Sequence, residues 1–126
     1  KNLKSVQLPE GLAEIGLRAF RESGLENITT PLSVRIIHQS AFCICENLRK
    51  AVLNEGLEVL GTDEYHDDDG LWYGVFSDSA LKSVELPSTL MRIEYNAFYC
   101  CKNLKDIEFP DALEYIGRYC FSESGL

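Results

Sequence analysis

The chain is poor in the residues on which most catalytic sites depend. It has only two histidines, His38 and His66, and it contains neither a glycine-rich phosphate loop nor a His-Glu-x-x-His zinc motif. Nucleophilic catalysis needs a serine or cysteine close to a histidine that an acidic group orients, and neither histidine stands in such a motif. We therefore expect that the protein is not an enzyme and that it holds no cofactor or metal.

Long apolar runs and cations are also scarce. Apolar runs are only a few residues long, whereas a membrane-spanning helix needs about 20 residues, so we expect no direct membrane insertion. The chain has 12 Lys and Arg residues and 20 Asp and Glu residues, so its net charge is −8. Attachment to nucleic acid needs clustered cations, so nucleic acid is not an expected partner. Five of the acidic residues lie within 63–69, and without them the net charge of −8 would be −3.

The dominant feature of the sequence is a repeat of 22 or 23 residues. The leucines that begin successive units are Leu3, Leu25, Leu48, Leu81, Leu104 and Leu126. All four prolines share one repeat position, and five of the six phenylalanines share another: Pro9, Pro31, Pro87 and Pro110, then Phe20, Phe42, Phe76, Phe98 and Phe121. A period of this length is typical of a solenoid, in which neighbouring units share one core.

We divide residues 1–126 into one solenoid of five repeats. Their bounds are 1–23, 24–46, 47–79, 80–102 and 103–125, and the third unit carries an insertion at about 62–73. The repeat pattern has already begun at Lys1, and a sixth unit begins just before Leu126. We therefore expect a solenoid that is uncapped at both ends.

The spacing within a unit predicts a short strand that ends at the proline. Val6 and Leu8 alternate with Ser5 and Gln7, so one pair faces inward and the other faces solvent. Proline lacks the N–H that would continue a ladder, and a column of prolines therefore ends every strand at the same height. The other inward positions of the first unit are Leu12, Ile15, Ala19 and Phe20.

The pattern Leu-x-x-Ile-x-Leu-Pro-x-x-Leu-x-x-Ile-Gly-x-x-Ala-Phe-x-x-Cys resembles the BspA-like, or Treponema-type, leucine-rich repeat over the whole chain. The second unit departs from it with Thr30 in place of leucine and His38 in place of glycine. The third departs with Ala51 on the strand, Asn54 in place of proline, and the insertion. The resemblance implies a leucine-rich-repeat solenoid that is mainly β, with short parallel stacked strands and few or no α-helices.

The same resemblance bears on function. Proteins of this type are typically secreted or cell-surface proteins of host-associated bacteria and some protozoa, and they are often adhesins. The resemblance therefore implies adhesion to a protein ligand, such as a host matrix or cell-surface protein. An intracellular scaffold or regulatory repeat protein in the cytoplasm, and an accessory region of a larger protein, are the alternatives.

The five cysteines bear on the choice of compartment. Cys45 and Cys101 stand where other units have serine, and they are two stacking steps apart, beyond the reach of a disulfide. Cys43-x-Cys45 and the adjacent Cys100 and Cys101 lack the Cys-x-x-Cys spacing of zinc sites. We expect structural thiols in preference to a disulfide or a metal site. Unpaired thiols in buried slots fit a reducing compartment better than an oxidising one.

The insertion is the first candidate binding site. It holds the only tryptophan, and Trp and Tyr dominate the hot spots of protein interfaces. In the alternative, Leu71 and Trp72 fold back and pin the loop to the stack, and a calcium site is a third possibility for so acidic a loop. The candidate residues here are Tyr65, Asp67, Asp68, Asp69, Trp72 and Tyr73.

The second candidate is the solvent-facing side of the predicted strands. Its candidate residues are Gln7, Thr29, Val52 and Glu85. This face is polar and becomes acidic toward the C-terminal units, which suits a basic or hydrogen-bonding protein partner. The alternative is a sheet face that is merely solvated.

Overall fold

The computed structural model describes residues 3–62 and 73–126, and this part of the chain winds into stacked coils with eight short strands and no helix. The strands are β1 Glu14–Ile15, β2 Asn27–Thr29, β3 Ile36–Ile37, β4 Lys50–Val52, β5 Val59–Leu60, β6 Ser83–Glu85, β7 Arg92–Ile93 and β8 Tyr115–Ile116. The predicted solenoid of short parallel strands is confirmed.

The strands form two parallel sheets on different sides of the coil. One sheet has the order β2-β4-β6, and in it Ile28, Ala51 and Val84 lie side by side. The other has the order β1-β3-β5-β7-β8. Its inward row is the isoleucine position of the repeat, where Ile15, Ile37, Leu60 and Ile93 are buried and Ile116 in the last coil is 44% exposed.

The two sheets differ in how well the repeat pattern predicts them. The predicted strand before the proline is present in the three middle units, whereas the matching segments around Val6 and Ile107 pack against the core without strand geometry. The second sheet was not predicted as strands, although its inward residues were. Its strands in the described chain are two residues long, too short for alternating polarity to mark them in a sequence.

A column of phenylalanine rings closes the core at the corner of each coil. The rings of Phe20, Phe42, Phe76, Phe98 and Phe121 stack nearly parallel, with successive centroids 5.3, 5.4, 5.6 and 5.3 Å apart. The three inner rings are fully buried. Each inner ring is therefore covered by another ring on both faces, and its apolar surface is removed from water.

The corner requires left-handed backbone on both sides of each phenylalanine. Two residues before or after the ring, φ is positive at nine non-glycine positions: Arg18, Glu22, Ser40, Ile44, Asp78, Asn96, Cys100, Tyr119 and Glu123. This geometry costs an L-residue about 1–2 kcal/mol. It also turns the N–H along the stack, so that the N–H of Ile44 donates to the Ser77 carbonyl at 2.8 Å and that of Asp78 to the Tyr99 carbonyl at 2.9 Å. Hydrogen bonds between coils thus offset the backbone strain.

The two substitutions at the proline end of the strands compensate each other. Asn54, which replaces proline, has an N–H that proline would lack, and this N–H donates to the Thr30 hydroxyl at 3.0 Å. The Asn54 side-chain amide donates to the Thr30 carbonyl at 2.8 Å. Thr30 itself is buried in a leucine position. A buried hydroxyl and an extra amide therefore satisfy each other, and the coil is preserved without the proline.

We expect Phe76→Ala to lower the free energy of unfolding by about 3–5 kcal/mol, because it opens a cavity between two rings. Urea unfolding followed by circular dichroism measures the loss. The control is Phe109→Ala, since the Phe109 side chain is 45% exposed and meets Phe121 only edge-on. Equal losses in the two variants would show that the ring column has no special share in stability.

Candidate functional site

The outward side of β2, β4 and β6 is an ordered row of solvent-facing side chains, which we call the strand face. Parallel pairing sets Thr29 beside Val52 and Val52 beside Glu85, so three of the predicted residues form one continuous row. Thr29 and Glu85 are exposed and Val52 is half-buried. The Glu85 carboxylate lies 3.9 Å from the ammonium group of Lys50 on the neighbouring strand.

Gln7, the fourth predicted residue of this face, extends the row into the first coil. It is exposed and lines a shallow depression of ≈ 390 Å³ together with Thr29 and Asn54. The depression is open, and its lining is mostly polar. Enclosed apolar cavities suit small molecules, whereas an open polar surface on a rigid ladder suits a macromolecular partner.

Most of the predicted insertion site lies outside the described residues. Tyr65, Asp67, Asp68, Asp69 and Trp72 belong to that part, and only Tyr73 is described. Tyr73 is half-buried, and its carbonyl accepts a hydrogen bond of 2.7 Å from the Ser40 hydroxyl. The guanidinium carbon of Arg21 lies 5.5 Å from the centre of the Tyr73 ring, within cation–π range.

A buried glutamine holds the other end of the insertion. The side-chain oxygen of Gln39 accepts the N–H of Thr62 at 3.2 Å, and its amide donates to the Tyr95 carbonyl at 3.3 Å. Gly61 leaves room for this side chain, because a Cβ there would lie 2.7 Å from the Gln39 oxygen. Adjacent residues, Gln39 and Ser40, therefore fix the chain on both sides of the insertion.

Sequence reasoning missed Gln39 and Ser40. Gln39 shares its repeat position with Leu17, Thr62, Tyr95 and Arg118, a set with no common chemistry. A polar residue at so variable a position looks solvent-exposed, yet Gln39 is 2% exposed. No sequence pattern indicates that a buried amide is needed at the point where an insertion interrupts the backbone ladder.

The cysteines are structural parts of the stack. None of the five forms a disulfide, and four of them are buried. The Cys45 thiol donates to the Phe20 carbonyl and lies 3.4 Å from the Ser23 hydroxyl. Cys101 repeats this arrangement two coils later with Phe76 and Ser79. Burial raises the pKa of the Cys101 thiol to about 11 and that of Cys120 to about 12, so both stay protonated and unreactive at neutral pH.

The described part of the chain offers no catalytic constellation. His38, on the side of the second sheet, makes a hydrogen bond of 2.6 Å to the Glu14 carboxylate. Within residues 3–62 and 73–126, no three His, Cys, Asp or Glu residues converge in a way that could hold a metal ion. No helix in these residues is long and apolar enough to cross a membrane.

The coil, the two parallel sheets and the phenylalanine column define a leucine-rich-repeat solenoid. The chain belongs to the BspA-type family of these repeats, because the family profile "BspA type Leucine rich repeat region (6 copies)" matches residues 1–68 and 71–126. Proteins with such repeats typically bind other proteins and are usually not catalytic. No curated protein matches the chain significantly.

Two solved structures resemble this one. The first is a leucine-rich repeat protein from Bacteroides ovatus with 32% sequence identity and a TM-score of 0.78, covering 98% of this chain and 30% of that one. The second is a leucine-rich repeat protein from Eubacterium ventriosum with 25% identity and a TM-score of 0.66, covering 99% of this chain and 38% of that one. The chain thus spans about a third of the length of either structure.

We expect Gln39→Ala to lower the free energy of unfolding by about 1–3 kcal/mol, because the Tyr95 carbonyl and the Thr62 amide each lose a part-buried hydrogen bond. Chemical unfolding in urea measures the change. Gln7→Ala is the matched control, since this glutamine is exposed and its loss leaves no buried group unpaired. A Gln39→Ala protein as stable as this control would contradict the role of the amide as a clamp.

We expect the buried thiols to make the protein less stable in alkali. An unfolded Cys101 ionises near its ordinary pKa of 9.0, while the folded one keeps its proton until about pH 11. The unfolded state therefore loses protons first, and the contribution of Cys101 to stability, complete below pH 9, is lost as pH rises from 9 to 11.

Cys101→Ser removes this titration and places in the slot the residue that occupies it in three other units. Between pH 7 and pH 10, the variant should lose about 1 kcal/mol less stability than the wild type. Urea unfolding at the two pH values measures the difference. An identical loss in both proteins would mean that Cys101 does not govern it.

Proposed function

We propose that this chain is a protein-binding module that presents the strand face and the insertion to a macromolecular ligand. The row Thr29, Val52 and Glu85 is the observation that supports the proposal most, because its side chains are solvent-facing and held in register by parallel pairing. Neighbouring strands lie about 4.8 Å apart, so the row offers regularly spaced contacts on a rigid support. A preorganised surface of this kind loses little conformational entropy on binding.

The insertion adds a second set of contacts in this proposal. Tyr73 lies next to the point where Ser40 holds the chain, and aromatic and acidic residues precede it in the sequence. The hydrogen bonds to Thr62 and Tyr73 fix both ends of the insertion on the stack. Trp72 supplies the large contact area that is typical of interface hot spots.

Adhesion at a cell surface or after secretion is the first proposed role, and it rests on the family. The five cysteines, none of which forms a disulfide, support a second proposed role, that of an intracellular scaffold or regulatory repeat protein, because thiols persist in reducing compartments. We also propose that the chain is divided into five units, each of which contains one ring of the phenylalanine column.

Surface plasmon resonance on immobilised matrix proteins tests the adhesin proposal. The wild type should bind, and Thr29→Trp/Glu85→Trp should lose binding because two bulky rings then stand in the row. Trp72→Ala/Tyr73→Ala reports separately on the insertion. Glu114→Arg is the control, since Glu114 is exposed on the other side of the coil, directly before β8.

Circular dichroism verifies the fold of each variant. If the folded strand-face variant binds like the wild type, the strand face is not the recognition surface. If the wild type binds no matrix protein, the adhesin proposal is wrong, and the search moves to intracellular partners.

A further inference from the structure

One edge of the strand face collects cations, although the whole chain carries a net charge of −8. The residue that follows the first leucine of each unit lies directly before the strand position, and in successive units it is Lys4, Glu26, Arg49, Lys82 and Lys105. Four of these five residues are cations, and all five are exposed. We call this row the basic edge.

The basic edge is a true row along the stack. The Glu26 N–H donates to the Lys4 carbonyl, the Arg49 N–H to the Glu26 carbonyl and the Lys82 N–H to the Arg49 carbonyl, at 3.1, 2.9 and 2.8 Å. Lys4, Glu26, Arg49 and Lys82 therefore follow one another at steps of one coil, about 4.8 Å at the spacing of parallel strands. Lys50, the residue after Arg49, is also exposed and lies beside this edge, in the next row of the strand face.

Acidic residues occupy the opposite edge of the same face. Glu85 and Glu108 lie on that side of the strand positions, and Glu10, Glu55 and Asp111 follow the proline position. From Lys82 to Glu85 is three residues of extended chain, about 10 Å. Hydrogen bonds from the Ser88 hydroxyl and N–H hold the pKa of Glu55 below its ordinary value, so this edge stays charged.

A row of mostly uncharged hydrogen-bonding side chains runs between the two edges. Asn27 and Ser83 are exposed there, and Ser5 holds the same position in the first coil. Their amide and hydroxyl groups can both donate and accept, which matches the alternating C=O and N–H groups of an extended peptide backbone. The same row carries Lys50 in the third coil and ends at Asp106 in the fifth.

We propose that the basic edge binds an extended acidic segment of a partner polypeptide, which lies along the stack and crosses the strands. The inference rests on the proposed protein-binding function and names the chemistry of the partner. The cationic strip is narrow, and a wide polyanion such as a nucleic acid duplex or an anionic membrane would press its charges against the acidic edge. A single extended chain avoids this, because charges on solvent-exposed groups are largely screened beyond about 8 Å at physiological salt.

Charge complementarity of this kind also sets the direction of docking. When the acidic side of a partner contacts the basic edge, any cations on the other side of that partner lie near Glu85 and Glu108. In the opposite orientation, charges of the same sign would lie next to each other. The contacts are solvent-exposed, so the interaction should be weak and strongly dependent on salt.

Fluorescence anisotropy with a labelled peptide of about twelve residues that alternates Glu and Ser tests the inference. The wild type should bind it at about 50 mM NaCl and lose most of the affinity at about 300 mM. Arg49→Glu/Lys82→Glu should bind at least about tenfold more weakly. The control is Arg35→Glu/Arg118→Glu, which changes the net charge equally but on the side of the second sheet, where Arg35 precedes β3 and Arg118 follows β8, and it should stay within about threefold of the wild type.

A second variant guards against an effect of the introduced acids on folding. Arg49→Gln/Lys82→Gln adds no charge and should still weaken binding by at least about threefold. Unchanged affinity in both edge variants overturns the inference, as does an equal loss in the control. Tighter binding of a sulfated polysaccharide of the same charge also overturns it, because the edge would then serve a glycan. If matrix proteins bind the strand face and the peptide does not bind, only this inference fails and the proposed function stands.

Discussion

The stacking of one coil on the next at the spacing of a parallel ladder is the constraint on which the rest of this structure depends. It brings each residue against the residues of the same repeat position above and below, so every slot must hold a side chain that can pack on its own kind. Phenylalanine stacks on phenylalanine at 5.3 to 5.6 Å, and isoleucine pairs with isoleucine or leucine in the second sheet. Where a coil departs from the pattern, its neighbour must compensate, as Thr30 does for Asn54.

This constraint explains why much of the fold could be predicted from the sequence. A slot that tolerates few residue types leaves a visible column in the alignment of the units, and the prolines, phenylalanines and strand positions formed such columns. The strand face followed from the alternation around Val6, and the structure brings Thr29, Val52 and Glu85 into the expected row. The second sheet escaped prediction because a two-residue strand with one inward side chain has no periodicity of its own.

The contacts around the insertion could not be predicted for a different reason. The sequence marked its position by an excess of eleven residues, but the clamp is made by residues of another unit, Gln39 and Ser40. The variety of residues at this repeat position does not indicate that the side-chain amide of Gln39 is buried. The pairing of Thr30 with Asn54 was hidden in the same way, since each residue by itself looked like a departure from the repeat, and only their contact shows that the two departures cancel.

The side-chain amide of Gln39 contacts a coil beyond its neighbour, whereas the rest of the stack is held by contacts between neighbouring coils. Its donor bond ends on Tyr95, two coils away, through the space that Gly61 leaves open. In a solenoid whose units contact only their neighbours, a stretching force along the axis detaches coils one at a time from the ends. A tie across three coils links the second coil directly to the fourth, so these two coils cannot separate under tension without breaking the bond between Gln39 and Tyr95.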